Sequence, residues 1–379
     1  MKKISNILLS LILSLSVISF AKAGELSVTG SVQATYVITS SDSTTAKVES
    51  QPGIGMSNEL AFNAKGEFGN GFTWNYQVEL DPDQRNGAAI NDDTRIELGT
   101  PYGTIGIYNS EGDLNTQLGY SAAAYAPGHD IGTDGASENG TGINSYSNIQ
   151  YHTPAGLLPF GIVAKAAYSP GQSYGGDAND AGGAASSDVE SYQITAKPVD
   201  GLTVGASYLT INGSGSATVQ EYETGGAYAK YSIGNVTFGA GRHLVAPNKD
   251  GSGSGSCAVT AVIKTRTDSQ DSTTYLPKTT TTYCDGTTYF ETDSISLGYA
   301  VNDALSVSYD KTTSTGHVSN QDQDNVRVRT DRDLVIESIQ LAYNIGGAVV
   351  AVGQKSVDGV NYTEGKNMKE TVFSLKMAF

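Results

Sequence analysis

The chain has 379 residues and a formal net charge of −16, with 45 glycines, 22 tyrosines and a single tryptophan. So acidic a chain excludes nucleic acid as a partner, because phosphate binding needs a basic face. The apolar share of 38% is too low for a bundle of membrane helices, yet apolar residues recur in short alternating runs, which excludes a disordered chain.

Lys2 and Lys3 precede an apolar stretch, Ile4 to Phe20, and Ala21-Lys22-Ala23 follows it. This is the layout of a secretory signal peptide over 1–23, too short for a membrane anchor and ending in a small-x-small cleavage site. Removal takes three lysines and leaves a net charge of about −19 on one domain, 24–379. No other stretch is long and apolar enough for a transmembrane helix. An exported chain of this kind is periplasmic, secreted or in the outer membrane.

Period-2 alternation marks the strands. From Glu25 to Thr39, Leu26, Val28, Val32, Ala34, Tyr36 and Ile38 share a face. Asn58 to Phe68 sets Leu60, Phe62, Ala64 and Phe68 against Glu59, Asn63, Lys65 and Glu67. Phe72 to Leu80 sets Trp74, Tyr76 and Val78 against Asn75, Gln77 and Glu79. Further strands fall at 91–99, 104–109, 147–153, 158–169, 188–197, 202–211, 221–232, 235–246, 291–301, 304–313, 333–344 and 348–357. The last, Lys369 to Phe379, carries Phe373, Leu375, Met377 and Phe379 on one face and Glu370, Ser374 and Lys376 on the other, for sixteen in all.

The connections alternate. Short ones, such as Gly69-Asn70-Gly71, Ile233-Gly234 and Gly346-Gly347, have the Gly and Asn chemistry of tight hairpins. Long ones run at 40–55, 81–90, 110–146, 170–187, 212–220, 247–290, 314–332 and 358–368. A soluble sandwich has no reason to gather its short turns at one end, whereas an outer-membrane barrel places tight turns in the periplasm and long loops outside. Aromatics agree: Phe68, Phe72, Phe160, Tyr231, Phe238, Tyr299, Tyr343 and Phe379 lie near the short turns, and Tyr36, Tyr168, Tyr192, Tyr208 and Tyr309 near the loops. These are two girdles around an aliphatic belt. Strands cross lipid only as a closed barrel, and sixteen of them enclose water. The predicted fold is all-β, a 16-stranded antiparallel up-and-down transmembrane barrel.

The signal peptide, the opening Glu25-Leu26-Ser27-Val28-Thr29-Gly30-Ser31-Val32, the hairpin from Thr94-Arg95-Ile96-Glu97-Leu98-Gly99 to Gly103-Thr104-Ile105-Gly106-Ile107-Tyr108, the long loop after it and the terminal phenylalanine carry a resemblance. The chain resembles the general porins of Gram-negative bacteria, especially the alphaproteobacterial type, over its whole mature length. The resemblance implies a passive outer-membrane channel for small polar solutes and ions, assembled as a homotrimer, with the third long loop folded into the lumen. It also implies that the barrel assembly machinery reads Phe379, and that outer-membrane lipid and lipopolysaccharide surround the wall. The loop at 247–290 is longer than the pattern leads one to expect.

By alternation Lys65, Arg95, Lys165, Lys230, Lys355 and Lys376 face inward. The loop at 110–146 offers Glu111, Asp113, Asp130, Asp134 and Glu138, and its Ser121-Ala122-Ala123-Ala124 suits packing on an inner wall. Glu111, Asp113 and Asp130 are expected opposite Lys65, Arg95 and Lys376, giving a transverse field across a narrow wet gap. Export permits a disulfide between Cys257 and Cys284, closing one loop.

The remaining motifs are weaker. Asp322, Asp324, Asp331 and Asp333 offer oxygens of the kind calcium takes, Asp322 and Asp324 being the calcium candidates, without a glycine-turn ligand pattern. No other cofactor and no catalytic residue is assigned. Gly171-Gln172-Ser173-Tyr174-Gly175 has nucleophile-elbow spacing but no strand–helix context. Gly359 to Lys366 has the wrong glycine spacing for a phosphate loop. An outer-membrane hydrolase would need a Ser–His pair, for which lumen-facing His152 is available; a surface adhesin would rely on the long loops.

Overall fold

The computed structural model describes residues 24–42, 47–80, 91–122, 140–170, 188–212, 218–247, 249–250, 257–261, 280–284, 286–321 and 327–379. Sixteen antiparallel strands close into one barrel. They are β1 (Glu25–Asp42), β2 (Lys47–Gly69), β3 (Phe72–Leu80), β4 (Asn91–Thr100), β5 (Gly103–Asn109), β6 (Asn148–His152), β7 (Val163–Ser169) and β8 (Val189–Ala196). They continue as β9 (Leu202–Ile211), β10 (Tyr222–Ile233), β11 (Val236–Ala246), β12 (Gly286–Ala300), β13 (Leu305–Gln321), β14 (Arg327–Ile345), β15 (Ala348–Asp358) and β16 (Asn367–Ala378). Each pairs with its neighbour in sequence, and β1 closes on β16 from Ser31 opposite Ala378 to Asp42 opposite Asn367. Phe379 and Gly30 then exchange two backbone hydrogen bonds of 2.8 and 2.9 Å, so the ladder runs to the final residue. Closure leaves the wall no open edge, which is what hydrocarbon requires.

The strand count and order match expectation; several ends do not. β1 and β2 reach Asp42 and start at Lys47, and β13 and β14 reach Gln321 and start at Arg327, inside segments read from the sequence as loops. The reason is solvent. Alternation appears only where one face meets lipid, and a hairpin rising above the membrane has water on both faces, so it carries no apolar period. The segment expected as strand from residue 158 instead opens with a 3-10 turn, Pro159–Gly161, and the strand begins at Val163. Two short ladders lie outside the barrel sheet: 218–220, just before β10, pairs with 249–250 at the start of the long loop before β12, and within that loop 257–261 pairs with 280–284.

Register fixes the two faces of the wall. Tyr231 stands opposite Phe238, and Phe238 opposite Leu297. These point outward, with Ile96, Ile107, Ile295 and Ile339, which are 53, 58, 54 and 54% exposed. A protein bathed in water would bury such side chains; a wall bathed in lipid displays them. At the turn end Tyr231, Phe238, Tyr299 and Tyr343 ring the belt. At the loop end Tyr192, Tyr208 and Tyr309 donate to Glu190, Glu223 and Glu337 at 2.9, 2.8 and 3.2 Å. An aromatic ring that holds a carboxylate at its tip suits the boundary between hydrocarbon and water.

Candidate pore constriction

Strand β5 ends at Asn109, and Ser110 takes a left-handed φ of 58° that turns the chain out of the wall. The segment 111–122 then crosses the inner wall rather than leaving the barrel. Gln150 of β6 donates to the Gly112 carbonyl, and Gln193 of β8 donates to that of Leu114 at 2.9 Å. The Thr116 N–H meets the Ser207 hydroxyl of β9 at 3.0 Å. Lys230 of β10 donates to the Ser121 carbonyl at 3.4 Å. On β12, Ser296 donates to the Tyr120 carbonyl at 2.7 Å and accepts from the Ala122 N–H at 3.0 Å. On β13, Ser121 donates to Asp310 at 3.0 Å, and the Tyr120 and Thr312 hydroxyls share a bond of 2.8 Å.

Close approach makes this seat possible. A Cβ on Gly239 would lie 1.7 Å from the Tyr120 carbonyl oxygen, and one on Gly298 would lie 2.6 Å from that of Ala122. Only glycine leaves room for a second backbone against the wall. The returning limb packs too. Ile143 and Leu114 are buried with the inward side chains Ala167, Val189 and Leu209, an apolar pad inside the barrel. Tyr222 accepts from the Thr141 N–H through its hydroxyl.

The charges sort unevenly. Arg95 of β4 bonds to Glu111 and lies 3.9 Å from Glu97. Glu97 also accepts from Asn75 at 2.9 Å and from Tyr108 at 2.6 Å. Burial pushes the Glu111 carboxyl above its ordinary range, and the Arg95 guanidinium pulls it back. Asp113 has no cation in its described contacts. It accepts from the Asn115 N–H at 3.0 Å, and a Cβ on Gly142 would lie 2.5 Å from its oxygen, so it lies against the returning limb. Water reaches it, but the enclosing wall still raises its pKa, against the pull of the Asn115 and Leu114 N–H groups.

Of the expected opposition of Glu111, Asp113 and Asp130 to Lys65, Arg95 and Lys376, the Glu111–Arg95 contact is present, while Lys65 and Lys376 lie elsewhere. Lys65 pairs with Glu25 at 3.5 Å, both well exposed, because the β1–β2 register sets them opposite each other at the turn end. Lys376 sits on β16 opposite Gln33 and Val349, with β1 to β3 between it and Arg95. Of the six inward cations, Arg95 and Lys230 meet the described part of the loop. Lys165 stands opposite His152 in the β6–β7 ladder. Lys355 is inward but buried, opposite Glu370, so it does not line open water. Asp130, Asp134, Glu138, Asp322 and Asp324 lie outside the described residues, as does the Gly171–Gly175 motif.

The sequence missed the anchors. Tyr120, Tyr222, Gln150, Gln193 and Ser296 hold the loop, yet each reads as an ordinary wall or loop residue. The pad had a signal: Ala167, Val189 and Leu209 put apolar groups on the face that should be wet. His152, the histidine available for a Ser–His pair, bonds to Gln150 at 2.7 Å.

Comparison with known proteins agrees with this geometry. A family model described as Gram-negative porin matches residues 9–351. No curated protein sequence matches. Among solved structures, an anion-selective porin from Comamonas acidovorans superimposes with a TM-score of 0.63 at 12% identity, over 94% of this chain and 100% of that one. OmpF of Salmonella typhi, in complex with daunomycin, gives 0.59 at 14% identity, over 95% and 100%. The trimer form of OmpT from Vibrio cholerae gives 0.57 at 12% identity, over 94% and 100%.

Proposed function

The chain belongs to the Gram-negative porin family, an outer-membrane β-barrel channel, and on that premise we propose that its aperture is set by the loop at 110–146. The observation that carries this reading is the path of residues 111–122, bonded across the inner wall from β6 to β13 at mid-barrel. Backbone, amide and hydroxyl groups make most of that seat, joined by Lys230 and Asp310 of the wall, and Glu111 and Asp113 of the loop border the solute path.

Solutes are small, hydrophilic and unselected by shape, and the filter prefers cations weakly. Two carboxylates, Glu97 and Glu111, meet Arg95 and the nearby Lys165, and the acidic excess of the whole chain tips the balance toward cations. Charges at low-dielectric walls focus counter-ions more strongly than in bulk water. The chain works without catalysis, as a homotrimer surrounded by outer-membrane lipid and lipopolysaccharide. It is exported with loss of residues 1–23 and inserted by the barrel assembly machinery through Phe379.

Single-channel recording in planar bilayers tests the reading. Ohmic steps in groups of three, with a reversal potential of cation sign under a salt gradient, are expected. Absence of any conductance from folded protein would overturn it.

A further inference from the structure

We infer that the last outer loop, 359–366, is a second pore-narrowing element, and that Tyr362 seats it on the hydroxyl ladder that also seats Tyr120. The inference rests on the channel reading above. It starts from four side chains in the wrong place. Leu334 and Ile336 of β14, Val357 of β15 and Met368 of β16 lie on the inward face, where their neighbours Ser338 and Gln340 show the polar character of a water channel. They are 0, 4, 0 and 9% exposed because Val360, itself 2% exposed, packs onto them from the loop. Apolar side chains on a wet wall are stabilised only by a cover, and the cover here is the loop itself.

The loop is built to stay down. A Cβ on Gly359 would lie 2.2 Å from the Asp333 carbonyl oxygen, so the chain bends directly onto β14. The Val360 N–H donates to the Lys366 carbonyl at 2.8 Å and closes the turn. Asn361 and Tyr362 both take left-handed backbone, with φ of 53° and 54°. That conformation is unfavourable for side-chain-bearing residues and persists where packing holds it.

Tyr362 then reaches past β14. Its ring lies 5.0 Å from Phe290 of β12, and its hydroxyl meets Ser314 of β13 at 2.7 Å. Ser314 in turn bonds to Thr292 at 2.8 Å. One inward step along the same two strands, Thr312 bonds to Ser294 at 3.1 Å and to Tyr120 at 2.8 Å. Two loops thus arrive from opposite sides of the barrel, 111–122 from β5 and 359–366 from β15, and dock on successive inward positions of β13. The first is the constriction; the second extends its shelf toward the outer mouth. Solutes pass on the side of that joint shelf away from β12 and β13, and its edge fixes their maximum size.

The test uses the full-length protein in planar bilayers and in liposomes loaded for swelling by neutral sugars of increasing size. Replacing residues 359–366 by an Asn-Gly turn should raise single-channel conductance about 1.5-fold or more and admit larger sugars, as expected when one wall of a narrow pore is withdrawn. Tyr362→Phe, which removes one hydroxyl and keeps the pad, should leave mean conductance within about a tenth and add rapid open-channel noise. If the shortened chain does not insert, Val360→Ser combined with Tyr362→Phe undocks the loop at full length and is read the same way. Wild-type conductance with unchanged conductance, noise and size limit in the inserted loop variants would overturn the inference and leave the channel reading standing. A silent wild type would instead overturn the channel reading.

Discussion

On strand β12 the outward side chains Ile295, Leu297 and Tyr299 are 54, 43 and 46% exposed, while the inward Thr292, Ser294 and Ser296 are 5, 5 and 6% exposed. A soluble β-protein shows the reverse. The outward face is open because lipid covers it. The inward face is closed because a loop lies on it, and each hydroxyl buried there has found a partner in the loop or the next strand. Polar burial is tolerated when every group is bonded, and each such bond contributes only about 1 kcal/mol net. The two faces therefore fail differently. The outer one is sensitive to a single charge, the inner one to the loss of several weak bonds at once.

The largest effect is expected at the barrel seam. Phe379 closes the ladder on Gly30, and its ring lies where a Cβ on Gly30 would meet it at 2.8 Å, 70% exposed on the outward face. Phe379→Asp should leave the protein exported but poorly inserted, with most of the heat-modifiable trimer lost from membrane fractions. Normal amounts of trimer would show that closure does not depend on this side chain.

A charge placed mid-wall sharpens the contrast between faces. Ile295→Lys should cost about 2–4 kcal/mol in urea unfolding from lipid vesicles, since a lysine near the bilayer midplane meets hydrocarbon. Asn63→Lys on the inward face of β2, beside Thr29, meets water and should cost less than about 0.5 kcal/mol. Equal costs would mean that the two faces are not distinguished by solvent.

Within the lumen the comparison is between Glu111 and Asp113. Glu111→Gln removes the carboxylate that holds Arg95, so the reversal potential should move toward anions by several millivolts under a tenfold salt gradient, about a tenth of the full Nernst span. Asp113→Asn keeps an acceptor for the Asn115 N–H and should move it less. Acid should do what the substitution does. Because burial raises the Glu111 pKa, its charge is lost as pH falls at a higher pH than for an ordinary glutamate. Cation preference should decline over that range in the wild type and stay flatter in Glu111→Gln. A parallel decline in both would assign the titration to another group.

These contrasts also show what could be read from the sequence. All sixteen strands were legible because lipid imposes period 2 on one face, as in Phe373, Leu375 and Met377. Where lipid ends the signal ends, so the water-bathed tips of the β1–β2 and β13–β14 hairpins were indistinguishable from loop. The third loop was legible by its length and small residues, and Arg95 with Glu111 by alternation and proximity. Its anchors were not, because a serine that bonds a loop and a serine that faces water have the same place in the pattern. Leu334-Val335-Ile336 did carry a signal: three consecutive apolar residues break the alternation and announce that both faces of β14 are covered.

The smallest expected effect belongs to a region that is part of neither the barrel's lipid face nor its inner wall. Residues 257–261 pair with 280–284 in a ladder of their own, and the register sets Cys257 opposite Cys284. We propose that the two are joined, which the oxidising compartment permits. In the entropic account, closing a loop of this length restricts the unlinked segment by about 3–4 kcal/mol. That free energy acts on the local ladder, since the barrel sheet closes from β11 to β12 through its own hydrogen bonds without these two strands. Reduction should therefore leave the barrel's heat-modifiability and single-channel conductance unchanged while increasing proteolysis within 262–279. Thiol labelling of denatured protein decides the premise: no reactive thiol before reduction and two after it are expected, and two before reduction would refute the bridge.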